Sequence, residues 1–138
     1  RYFGMDGFLA IFGWPTWYED HAQRALRVGL ELQEHLRDQS RALQSEAPLA
    51  ASVSMGLHTG PIELENRYDP YAAVPLAASE TTRVAIRLHH LAQSEIILTS
   101  PATLPLLQES VEYVEHGSMY LPGHSGSTPT YRLIRLAT

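Results

Sequence analysis

Ala22, Ala25, Leu26, Gly29, Leu32 and Leu36 recur at the intervals of one helical face, while Arg24, Arg27, Glu31 and Glu34 fall off it. A helix with one apolar stripe must lay that stripe on another element, so the chain needs a partner surface of comparable length. The spacing predicts a helix over 17–38, opened by the capping-box pattern Thr16-x-x-Glu19 within GWPTWYED. The polar stretch from Gln39 to Pro48 reads as a connecting loop.

Short apolar runs supply the partner surface. Phe8–Phe12, bounded by Gly7 and Gly13, reads as a buried strand. ASVSMGLHTG alternates, with Val53, Met55 and Leu57 against Ser52, Ser54 and His58, and reads as a strand ending at Gly60-Pro61. Ile62 and Leu64 extend it into an arm or hairpin, and ENRYDPYAAVPLAAS follows as a long irregular loop. Ser79 caps a second helix whose apolar face is Val84, Ala85, Leu88, Leu91 and Ala92. Ile96–Leu98 is a third strand, and Pro101–Leu107 a short helix opened by Ser100 and Pro101. Val111–Val114 and Tyr131–Leu136 close the chain as two strands around the turn GHSGS. Strands alternating with helices predict an α/β (α+β) sheet with helices packed on one face.

The 138 residues predict a single domain over 1–138. A formal charge of −5 excludes the basic footprint of a nucleic-acid binder, so no nucleic-acid partner is expected. All ten basic residues are arginines. Cysteine is absent, which removes disulfides and cysteine–zinc sites and fits a reducing compartment. No run reaches the roughly 18 apolar residues of a membrane span, so no membrane contact is expected. The chain opens on Arg1 rather than methionine and reads as a piece of a longer protein.

The residues with chemistry are few. Asp6 stands between Met5 and Gly7 at the entry to an apolar run, where glycine lets a ligand approach the backbone. It reads either as a ligand for a hard cation or as a turn aspartate. His89 and His90 are adjacent, so about 100° apart on a helix, a poor geometry for a joint metal site. His58, at a strand end, reads as structural or partly exposed, and GHSGS as a flexible turn rather than a nucleophile elbow. No P-loop or dinucleotide fingerprint is present. Trp14, Trp17 and Tyr18 pack at the helix start or against a partner subunit.

In order and spacing, FGMDGFLAIFGWP with EDHAQRALRVGLELQ, then SMGLHTGPI, then SETTRVAIRLHHLAQSEIILTSPAT, resemble the class III adenylate/guanylate cyclase catalytic domain. The resemblance spans nearly the whole chain and implies a ferredoxin-like sheet, a head-to-tail homodimer with shared active sites, and a cytoplasmic location. It implies conversion of ATP or GTP to a 3′,5′-cyclic nucleotide and pyrophosphate in signal transduction. Two ions, Mg²⁺ or Mn²⁺, about 3.5–4 Å apart would serve that reaction, held by two aspartates. Asp6 matches the second of these; the first belongs to a strand that, with the family's first helices, would precede Arg1.

Several positions depart from the family pattern. The Gly-Asp pair is Met5-Asp6, with the glycine displaced to Gly4, and the base-contacting lysine falls at Tyr2. The transition-state Asn and Arg, four residues apart, fall at Arg83 and Arg87. The glycine before that helix is Ser79, and the base-selecting residue falls at Leu76. Arg87 can stabilise phosphate charge, but Arg83, a pure donor, cannot replace an amide carbonyl. These departures imply weak or lost turnover. The alternative is an inactive dimerisation or nucleotide-sensing module of a larger regulatory protein.

Overall fold

The computed structural model describes residues 2–3, 7–13, 17–43, 53–61, 79–92, 96–107 and 111–137. A two-stranded antiparallel ribbon comes first: β1 (Tyr2–Phe3) and β2 (Gly7–Phe8), with Tyr2 opposite Phe8 and Phe3 opposite Gly7. The remaining elements are α1 (His21–Leu43), β3 (Met55–Leu57), α2 (Glu80–Leu91), β4 (Ile97–Thr99), α3 (Leu104–Leu107), β5 (Val111–Tyr120) and β6 (Ser127–Leu136). Strands β3 to β6 form one mixed sheet in the order β3-β4-β6-β5. β3 and β4 are parallel, and β6 lies antiparallel to both β4 and β5. Parallel neighbours need a crossover, and α2 lies between β3 and β4 in the chain.

The mixed sheet with helices meets the α+β expectation. The helices, however, do not share one face. Successive strand residues point to opposite sides, and β4 shows what that does here. Ile97 packs with Ala22 and Leu26 of α1, Leu104, Leu107 and Leu133, while Leu98 packs with Val84 and Leu88 of α2 and Leu121. The sheet is therefore covered by α1 on one side and α2 on the other.

Element boundaries also shift. α1 begins at His21, four residues later than the spacing predicts, and runs through Leu43. The carbonyl of Asp20 accepts the first helical bond, from Arg24 N at 3.0 Å, so Asp20 and not the Thr16 pattern marks the start. Thr16 lies outside the described residues, as do Ile62, Leu64 and the long loop after them. Of the apolar stripe, Ala22 and Leu26 are buried, whereas Leu32 is exposed and Gln33 is buried instead. The run Phe8–Phe12 is strand only at Phe8, and Ala10 is exposed. β5 and β6 are each ten residues long, well beyond the two short closing strands expected. A register shift between Glu115 and Gly117, with Gly117 at φ 120°, carries β5 onward through a bulge, which obscures its alternation in the sequence.

Because β3 and β4 are parallel, their C-terminal ends lie side by side, and polar side chains bind them together. Thr99 Oγ1 donates to the Leu57 carbonyl at 2.8 Å, His58 Nδ1 and Ser100 Oγ are 2.5 Å apart, and Thr59 and Thr103 hydroxyls meet at 2.9 Å. Thr99, Ser100 and Thr103 are fully buried. Among the described residues no buried side-chain polar atom lacks a partner, as burial of such groups requires.

Candidate functional site

α2 carries the candidate residues, and its placement is fixed at both ends and along its length. Ser79 has extended backbone (φ −70°, ψ 149°), and its Oγ accepts from Thr82 N at 3.1 Å, which satisfies one of the orphan amides of the first turn. Arg83 N donates to the Ser79 carbonyl at 3.0 Å and continues the ladder. Thr81 donates to the Pro61 carbonyl at 2.6 Å, tying this turn to the segment after β3. At the other end, His89 Nδ1 lies 2.9 Å from the Ser54 carbonyl. Between them, Val84 and Leu88 are fully buried, and Gly56 of β3 faces the α2 backbone. A Cβ at Gly56 would collide with the Ala85 carbonyl and the His89 amide and lie 2.7 Å from Leu88 Cβ.

With Val84 and Leu88 turned inward, Arg83 and Arg87 are left exposed on the outer side of the helix. Residues four apart share a face, so two guanidiniums stand one turn from each other. Among the described residues no carboxylate forms an ion pair with either. Two adjacent donor-only cations repel unless an anion lies between them, and guanidinium geometry suits the oxygens of phosphate.

Of the other candidates, Tyr2 lies in β1, its backbone paired opposite Phe8. Asp6 and Leu76 lie outside the described residues. The structure thus joins Arg83 and Arg87 on one face of α2. Among the described residues no three His, Cys, Asp or Glu side chains come together as a metal cluster. The His89 and His90 rings are 5.2 Å apart, and His89 is engaged with Ser54. None of the described helices is long and apolar enough to cross a membrane.

His58 is the group that sequence reasoning undervalued. Burial disfavours its charged form and pushes its pKa down to about 4, the nearby His124 adds to the effect, and the Glu80 carboxylate opposes it. The one sequence signal was a pair of hydroxyl-rich strand ends, LHTG and LTSPAT, which only a parallel pairing brings together.

A family model, the adenylate and guanylate cyclase catalytic domain, matches residues 4–135. No curated protein matches the chain. Solved structures do. The catalytic core of a rhodopsin-guanylyl cyclase with converted specificity, in complex with ATPαS, aligns with a TM-score of 0.70 at 21% identity, over 91% of this chain and 64% of that one. The non-canonical dimeric guanylyl cyclase domain of the RhoGC fusion protein from the aquatic fungus Blastocladiella emersonii aligns at 0.69 and 18%, over 91% and 65%. The adenylyl cyclase CyaB from P. aeruginosa aligns at 0.69 and 16%, over 94% and 70%. The chain therefore spans just under two thirds of the length of the first two of these chains. Identities this low speak for the fold alone.

Proposed function

The chain belongs to the adenylate and guanylate cyclase catalytic domain family, and we propose that it binds a nucleoside triphosphate, ATP before GTP, as a cyclase domain whose turnover to a 3′,5′-cyclic nucleotide is weak. The observation that carries this reading is the exposed pair Arg83 and Arg87, one turn apart on a rigidly seated helix. In it, both guanidiniums hold phosphate oxygens, and Arg87 opposes the charge that grows as pyrophosphate leaves. Asp6 offers the carboxylate oxygen that a hard ion prefers. Mg²⁺ or Mn²⁺, when bound, neutralises phosphate charge and activates the ribose hydroxyl. By the family pattern Tyr2 and Leu76 fall at the base-contacting positions, where a phenol and an apolar side chain would select weakly between adenine and guanine. A second copy of the chain completes each site, and the domain works in the cytoplasm.

Turnover is weak in this reading because Arg83 stands where an amide would accept a hydrogen bond, and a guanidinium only donates. That same residue favours the second reading, a domain that binds nucleotide and dimerises without catalysis.

The test is an assay of the full-length protein with Mn²⁺ and ATP, then GTP, for cyclic nucleotide and pyrophosphate, with Asp6→Ala and Arg87→Ala as controls. Product that disappears in both controls supports the enzyme. Nucleotide binding without product supports the second reading. A folded protein with neither binding nor product refutes both.

A further inference from the structure

We infer that His58 is an acid-released latch: its neutral imidazole ties the ends of β3 and β4 together beneath the first turn of α2, and protonation loosens that turn and the β5–β6 turn together. The inference is independent of any nucleotide chemistry.

The geometry converges on this ring from four segments. His58 follows β3 directly and meets the fully buried Ser100, which follows β4 directly. Ser100 also anchors the start of α3, its carbonyl accepting from Thr103 N at 3.2 Å and Leu104 N at 3.4 Å. The next residue after His58, Thr59, bonds Thr103, and Pro61 two further on accepts from Thr81 of α2. Gly60 leaves no room for a side chain, since a Cβ there would lie 2.6 Å from Thr81 Oγ1. The strand ends and the helix start therefore move as one body.

Two titratable groups on the remaining elements act on the ring electrostatically. Glu80 of α2 favours the charged ring through its carboxylate, and His124 of the β5–β6 turn opposes it. The Glu80 carboxylate lies against the Cα of Gly123, the residue before His124, where a Cβ would collide with it. Gly123 has φ 76°, so a left-handed backbone conformation brings the turn to the helix. Ring protonation thus places a cation where burial and His124 both oppose it, and where only Glu80 favours it.

The direction follows from these causes. A free histidine titrates near 6.5, and His58 in the fold near 4. Stability linked to the latch is fully present above about 6.5 and is lost as pH falls through about 4.

Histidine-ring and amide NMR on the full chain, titrated from pH 7.5 to 3.5, tests this. The His58 ring is expected to titrate near 4, with the Thr81, Thr82 and Gly123 amides shifting at the same midpoint while Leu98 and Thr130 hold still. His58→Asn, which keeps a neutral hydrogen-bonding group, should erase the shared midpoint at Thr81 and Gly123. Ser100→Ala, which keeps the ring buried but removes its hydrogen-bond partner, should leave the ring titrating near 4 while weakening the shared response at Thr81 and Gly123. A wild-type His58 midpoint near 6.5 overturns the latch. So does a shared response that survives His58→Asn, or a transition in which Leu98 and Thr130 move together with α2.

Discussion

α1 and α2 lie on opposite faces of the same sheet and are held in different ways. α1 has 23 residues and α2 only 12, yet the shorter helix is the more firmly placed. α2 meets β3 backbone to backbone across Gly56, with Val84 and Leu88 fully buried. α1 meets β3 through a side chain, Met55 Sδ lying 3.0 Å from where a Gly29 Cβ would stand. It also leaves Val28 and Leu32 exposed at 49% and 45%. Helix length, then, does not set precision. Close backbone contact does, and it occurs beneath the helix that carries Arg83 and Arg87.

The strongest way to break this contrast is Gly56→Ala. The added methyl has only backbone to push against, and overpacking of that kind costs about 3 kcal/mol. Chemical denaturation should show that loss, together with displaced α2 amide signals. A loss below ~1 kcal/mol would mean that α2 slides freely on β3. Ser79→Ala comes next. It removes the cap of α2 and should cost about 1 kcal/mol by the same measurement. Gly29→Ala sharpens the comparison from the other side. Its methyl meets the flexible end of Met55, and replacing a mid-helix glycine gains ~0.5–1 kcal/mol, so α1 should tolerate the change or gain from it. The smallest effect belongs to Arg24→Ala on α1. Arg24 pairs with Asp20 at 2.8 Å and stacks on Tyr18 at 3.9 Å, all of it solvent-exposed. Such pairs are screened, so the melting temperature should not move measurably.

Much of α2 was legible in the sequence, because its evidence is local. Ser79 sits just before the helix, and Val84, Leu88 and Leu91 recur at helical intervals, so both cap and inner face could be read directly. α1 was legible in its period but not in its ends: Thr16-x-x-Glu19 fitted a start that Asp20 provides instead. β5 escaped beyond Val114 because an exposed edge strand with a bulge has no apolar alternation to read. The covering of both sheet faces escaped because two adjacent residues, Ile97 and Leu98, both look apolar, and only their neighbours reveal that each serves a different helix. Arg83 and Arg87 were reached through the family resemblance and their four-residue spacing. The His58–Ser100 contact joins residues 42 apart in the chain and depends on which strands are parallel neighbours, which no local pattern encodes.

In the proposed reading α2 presents two arginines to a nucleotide's phosphates, and Arg83 slows turnover. Arg83→Asn in the full-length protein, assayed with Mn²⁺ and ATP beside Arg87→Ala, tests it most directly. The asparagine, by restoring an acceptor, should raise cyclic nucleotide formation by ~10-fold or more, a gain of about 1.4 kcal/mol in the transition state. Arg87→Ala should remove the product. Unchanged product formation and nucleotide affinity in both variants would contradict the claim and place the nucleotide, if one binds, away from α2.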